Sequence, residues 1–100
     1  MSEYKYIYVE TYGTRESSTG AYPARPLTGQ GFSTDLKVEC SKIIRAQYPV
    51  GTRFKLNVKL CEAYGVPFLY SHYRWTMEAI PDVVIDRIFK FEPTISKSVP

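Results

Sequence analysis

Residues 50–60 alternate apolar and polar side chains, with Phe54, Leu56, Val58 and Leu60 on one side and Arg53, Lys55, Asn57 and Lys59 on the other. Successive side chains of a strand point to opposite faces, so this pattern predicts a strand with one face in a core and one face wet. Sheets that keep a wet face are antiparallel as a rule, whereas all-parallel sheets are covered on both sides. The pattern sits in a chain of 100 residues, which predicts one small domain over residues 1–100. At 44% hydrophobic and 23% charged residues, the chain can bury enough apolar surface to fold rather than stay disordered.

A second alternating run precedes it. From Glu3 to Tyr12, Tyr4, Tyr6, Tyr8 and Tyr12 fall on one side and Lys5, Ile7, Val9 and Thr11 on the other. The run reads as a strand, although the alternation alone leaves open which face is buried. Residues 13–32 follow as a long Gly- and Pro-rich loop, with room for a short hairpin arm. Ser33, Thr34 and Asp35 then offer helix caps. Leu36, Cys40, Ile43, Ile44 and Tyr48 recur at helical spacing, which predicts an amphipathic helix over 34–47, ended by Pro49. Gly65 and Pro67 predict a hairpin turn after the central strand. Its second arm runs over 68–77, with Leu69, Tyr73, Trp75 and Met77 inward and Tyr70, His72 and Arg74 outward. Residues 81–91 suit a second helix starting at Pro81 and Asp82, with a strand as the competing reading. Residues 93–100 read as a frayed tail.

Several function classes are disfavoured at this level. Two cysteines and one histidine give neither a disulfide framework nor a zinc-finger set, so no metal and no cofactor is expected. Cys40 and Cys61 read as buried reduced thiols. The N-terminal residues lack a secretory signal and no apolar run reaches the ~18 residues of a membrane span, so a cytoplasmic protein without a membrane partner is expected.

Four groups of residues bear on chemistry. The outward row Arg53, Lys55, Asn57 and Lys59, beside Tyr70, His72 and Arg74, interleaves cations with aromatic rings. Cations suit phosphates and rings suit bases, so this face is the candidate site for nucleic acid or for an acidic protein surface. Alternating Lys and Arg also serve merely to keep a sheet face solvated. The row Tyr4, Tyr6 and Tyr8 is a candidate homodimer interface, because tyrosine buries a ring while its hydroxyl stays hydrogen-bonded. Residues 28–35, with Gly29 and Gly31 ahead of the expected helix, resemble a phosphate-cradling turn only loosely: no strand is expected before it and no Lys follows. His72 could be drawn with Cys61 or Ser71 and with Glu78 or Asp82 as a hydrolytic set, but strand parity separates Ser71 from His72 and no nucleophile motif is present. No catalytic residue is assigned.

Residues 48–54 and 67–75 resemble stretches of short bacterial proteins, some of them carried on mobile gene cassettes; the resemblance transfers no residue role. The expected fold is α+β, a twisted antiparallel sheet of three to five strands, able to curl toward a barrel, against the helix over 34–47. The expected function is a non-catalytic binding module working through the basic-aromatic face. Homo-oligomerisation through the tyrosine strand is one alternative, and a small-ligand pocket or enzyme site under the 13–32 loop is another.

Overall fold

The computed structural model describes residues 4–72 and 74–89. Strands β1 (Lys5–Thr11), β2 (Ala24–Pro26), β3 (Lys37–Glu39), β4 (Arg53–Ala63), β5 (Val66–Tyr70) and β6 (Met77–Ile80) combine with helices α1 (Lys42–Gln47) and α2 (Asp82–Phe89) in an α+β fold. The strands join in the order β2-β1-β4-β5-β3, with β6 also on β4. The end strands β2 and β3 lie against each other, so the sheet curls nearly into a barrel. It has six strands rather than three to five. It is also mixed: β3 runs parallel to β5, with Val38 opposite Leu69. The second helix expected over 81–91 is present as α2, and the tail over 93–100 lies outside the described residues.

Strand β4 organises the sheet. Its residues 53–56 pair with β1 along one edge and with β6 along the other, both antiparallel. Phe54, Leu56 and Val58 are fully buried, with Ile7 and Val9 of β1, Val38 of β3 and Leu69 of β5 in the same core. Each such side chain contributes about 1.5–3 kcal/mol by leaving water. Beyond Val58, β4 loses β1 and β6 and runs on with β5 as a hairpin. Leu60, expected in the core by parity, is therefore 56% exposed. Tyr64 and Gly65, both at positive φ (53° and 78°), close that hairpin. Two left-handed central residues match the right-handed twist of the strands they join.

The helix expected over 34–47 is shorter, and its buried side differs. Ser33 makes a closed turn, its Oγ accepting from the Asp35 N–H (3.1 Å) and its carbonyl from the Leu36 N–H (3.2 Å). Residues 37–39 then extend as β3, because pairing with β5 sheathes Val38 against Leu69. A first helical turn here would fix several residues for one hydrogen bond, with no comparable burial in return. The helix starts instead at Ser41, whose Oγ accepts from the Ile44 N–H (3.2 Å). Within it Ile44 packs on the core as the stripe expects, but Ile43 is 74% exposed and Arg45 is buried, against the stripe read from spacing. The guanidinium of Arg45 donates to the carbonyls of Tyr22 (2.6 Å) and Cys40 (3.1 Å), which ties the 13–32 segment to α1. The Gly-rich stretch 28–35 thus leads into a turn and a strand, so the helix N-terminus that a phosphate cradle needs is not there.

The 13–32 segment contains the short arm β2, which extends the sheet beside β1. Gln30 then continues the same edge with its side chain. Its Oε1 accepts from the Tyr8 N–H (2.7 Å), and its Nε2 donates to the Tyr8 carbonyl (2.8 Å) and to the Leu27 carbonyl (2.9 Å). Gly29 and Gly31, at φ of 89° and 90°, turn the chain on either side so that this amide can stand in for a strand residue. Both cysteines are free thiols; Cys40 is buried as expected, while Cys61 is only half-buried.

Phe54→Ala should cost about 3–5 kcal/mol of unfolding free energy, whereas Ile43→Gln should stay within about 0.5 kcal/mol; urea unfolding checks both, the first for the β4 core and the second for the exposed face of α1. Burial pushes the Cys40 thiol up to about 11, against the opposing charge of Arg45. The folded protein thus holds the proton that the unfolded chain gives up at lower pH. That contribution to stability is complete below the ordinary thiol range, near 8.5, and is lost as pH rises through about 11. Stability measured across that window should fall in the native sequence and fall less in Cys40→Ala.

Candidate functional site

The pairing register decides which rows share a surface. Tyr6 stands opposite Asn57, Tyr8 opposite Lys55 and Glu10 opposite Arg53. Directly paired residues of antiparallel strands project from the same face. The tyrosine row of β1 and the polar row of β4 therefore lie side by side on the outer face, with Ile7, Val9, Phe54 and Leu56 inward. Lys59 pairs with Tyr70, which adds β5 to the same face. The cations lie against the rings: the Lys55 Nζ is 5.4 Å from the Tyr6 ring centre, and the Lys59 Nζ is 5.4 Å from that of Tyr4.

Strands β5 and β6 follow the same edge of β4 but are not one strand. Tyr70 pairs with Lys59 and Met77 with Leu56, so the chain from Tyr70 to Met77 is longer than the stretch of Asn57 and Val58 facing it on β4. The surplus is thrown outward as a turn, closed by the Trp75 N–H donating to the His72 carbonyl (2.9 Å) and the Arg74 N–H donating to His72 Nδ1 (3.1 Å). Parity survives outside this turn, since Leu69 is buried and Met77 packs on the core, but fails within it. Trp75, expected inward, instead meets Tyr4 edge-on with ring centres 4.7 Å apart. Tyr70 and His72 complete the group at 6.4 and 5.8 Å from Trp75. Tyr73, also expected inward, lies outside the described residues.

Of the expected site residues, Lys55, Asn57, Lys59, Tyr70, His72 and Arg74 are thus gathered around Tyr4, Tyr6 and Trp75. Arg53 is on the same face but engaged. Its Nε lies 3.7 Å from Glu10 and its Nη1 3.4 Å from Asp82 of α2, while Arg25 also holds Glu10 at 3.0 Å. Tyr8 is half-buried, with Phe89 of α2 edge-on at 5.6 Å. Helix α2 accordingly occupies the end of the face nearest Arg53 and leaves Tyr4, Tyr6, Lys55 and Lys59 to solvent. Glu78 of β6, paired with Lys55, puts an acid on the same face. Reading the sequence alone missed Trp75, and the one signal for it was the polar Ser71 at a nominally inward position.

Alternating cations and exposed rings on a rigid sheet can neutralise a phosphate chain while offering surfaces for stacking. A notch of about 280 Å3 opens in this face, lined by Tyr6, Asn57, Arg74, Trp75 and Thr76. Two other concavities have different chemistry. A cleft of about 450 Å3 borders Glu10, Arg25, Arg53 and Asp86, where the arginines are already paired. A groove of about 460 Å3 beside Val66, Pro67 and Phe68 is mainly apolar. The 13–32 segment borders the 450 Å3 cleft through Arg25, Pro26, Leu27 and Thr28, whereas between Glu16, Pro23, Lys42 and Arg45 the space is about 30 Å3, enough for one water molecule. Ser71 of the hydrolytic set drawn from sequence is buried, its N–H donating to the Glu39 carbonyl (2.8 Å). Among the described residues no three His, Cys, Asp or Glu side chains converge as a metal site, and no helix is long and apolar enough to cross a membrane.

Trp75 is the single tryptophan of the chain, so its emission reports this cluster alone. Tyr4→Ala should shift that emission to the red and lower stability by about 0.5–1.5 kcal/mol, the range of one aromatic pair, while Tyr12→Ala should leave the emission unchanged. No family model, curated protein or solved structure matches the chain.

Proposed function

We propose that the protein is a non-catalytic binding module for single-stranded nucleic acid, with Tyr4, Tyr6, Lys55, Lys59, Tyr70, His72, Arg74 and Trp75 as its contact surface. The observation that carries this reading is the register of β1 on β4, by which an aromatic row and a basic row become one face. An acidic protein surface would need the cations alone. Rings that each lie against one lysine at 5.4 Å add what a strand of bases uses, each stacked base contributing about 1–3 kcal/mol. A regular duplex hides its bases and would gain only the electrostatic part. In this reading Lys55, Lys59 and Arg74 neutralise phosphates, and Tyr4, Tyr6, Tyr70, His72 and Trp75 supply stacking surfaces. Arg53 contributes less, since Glu10 and Asp82 already balance it.

Fluorescence anisotropy of a labelled oligothymidylate tests the assignment. Three phosphate contacts on a single strand give a log–log salt slope of about −2, so affinity should fall roughly twentyfold between 50 and 200 mM salt. Lys55→Ala or Lys59→Ala should each flatten that slope by about 0.7, and a duplex of equal length should bind more weakly. Absence of binding at low salt, or binding indifferent to salt, would overturn the proposal. So would a dimer in solution that Tyr4→Ala/Tyr6→Ala/Tyr8→Ala converts to a monomer, because the face would then belong to a second copy.

A further inference from the structure

The notch between Tyr6 and Trp75 carries a polar feature that the open face does not. Asn57, in the middle of β4, lines it, and the Oδ1 of Asn57 is sealed from solvent with no hydrogen-bond partner. The large majority of buried side-chain polar atoms are paired, and one left alone weakens the fold until a donor reaches it; Arg45 Nε and Arg53 Nε share this state, but neither borders the notch. The residues around Asn57 in the notch offer a ring on one wall (Tyr6), an indole on another (Trp75) and a guanidinium at the rim (Arg74). Such a set matches a flat heterocycle with hydrogen-bond donors on its edge and an anionic group beside it. The terminal amide torsion of Asn is soft and broadly two-fold, so a swing about it turns Oδ1 toward an occupant without moving β4.

From this we infer that the notch is a one-base pocket: a single unpaired nucleobase enters between Tyr6 and Trp75 and donates from its Watson–Crick edge to Asn57 Oδ1. The inference rests on the proposed single-strand reading and adds to it a site that recognises a base edge as well as a ring. Unpaired bases are read on this edge because no partner strand occupies it. Stacking on the open face tolerates any base, whereas the notch requires a donor. A strand whose bases keep their rings but lose that donor should bind through the face and forfeit the notch.

The test compares oligothymidylate with the same oligomer built from N3-methylthymidine, on the native protein and on Asn57→Ala. The native protein should bind the unmethylated strand about tenfold more tightly, the factor that one hydrogen bond of roughly 1.4 kcal/mol gives. Asn57→Ala should bind the two strands alike, at the level of the native protein with the methylated one. Equal binding of both strands by the native protein would overturn the pocket while leaving the face intact, and needs no variant to fold. A methylation penalty that persists in Asn57→Ala would also overturn the role given to Asn57. Failure of both strands to bind at low salt would remove the face reading itself.

Discussion

Strand β4 is hydrogen-bonded along both edges over residues 53–56, to β1 on one side and β6 on the other, and this double pairing governs the rest of the molecule. A strand held on both edges cannot slip by one residue, because a slip would carry Phe54, Leu56 and Val58 out of the core together and bring Arg53, Lys55 and Asn57 in. The register therefore ties stability to surface chemistry. The same bonds that bury Phe54 under Val9 also set Tyr6 beside Asn57 and Tyr8 beside Lys55. Exposed tyrosines in the β1 row are thus not a loose patch but part of a ruled surface, with cations at fixed spacing.

What the sequence made legible was whatever depends on period two. The inward side of β4 up to Val58 and the outward basic row follow from alternation, as does the face of β1 once Ile7 and Val9 are given a core to enter, while the hairpin after β4 follows from Gly65 and Pro67. Period 3.6 misled in one place. Leu36, Cys40 and Ile44 do approach the core, but from a turn, from the segment after β3 and from α1, three backbones that mimic one helix. Tertiary pairing of Val38 with β5 outweighed the local spacing. Arg45 could not be read as buried, because its burial depends on the carbonyls of Tyr22 and Cys40, and one of those comes from a loop of no regular pattern. Gln30 is hidden for the same reason: a side chain that imitates a strand leaves no periodic trace.

The position of Trp75 was beyond reach for a different cause. Residues 68–77 satisfy alternation except at Ser71, yet the partner strand spends only Asn57 and Val58 where this one passes from Tyr70 to Met77. Surplus length is a property of two strands together and is invisible in either. Its consequence is the most chemically loaded part of the surface, since the turn brings His72, Arg74 and Trp75 over the β1–β4 rows. Helix α2 adds a boundary. By placing Asp82 on Arg53 and Phe89 on Tyr8, it occupies the far end of the face and leaves the rows of Tyr4, Tyr6, Lys55 and Lys59 beyond it.

Backbone amide shifts recorded while an unlabelled oligothymidylate is added at low salt test this account most directly, because they locate a bound strand without altering any side chain. The account predicts that the shifted amides cluster on residues 4–8, 55–59 and 70–76, and that the shifts reverse on raising the salt. Shifts confined to the apolar groove beside Val66 and Phe68, or no shifts at low salt, would contradict it.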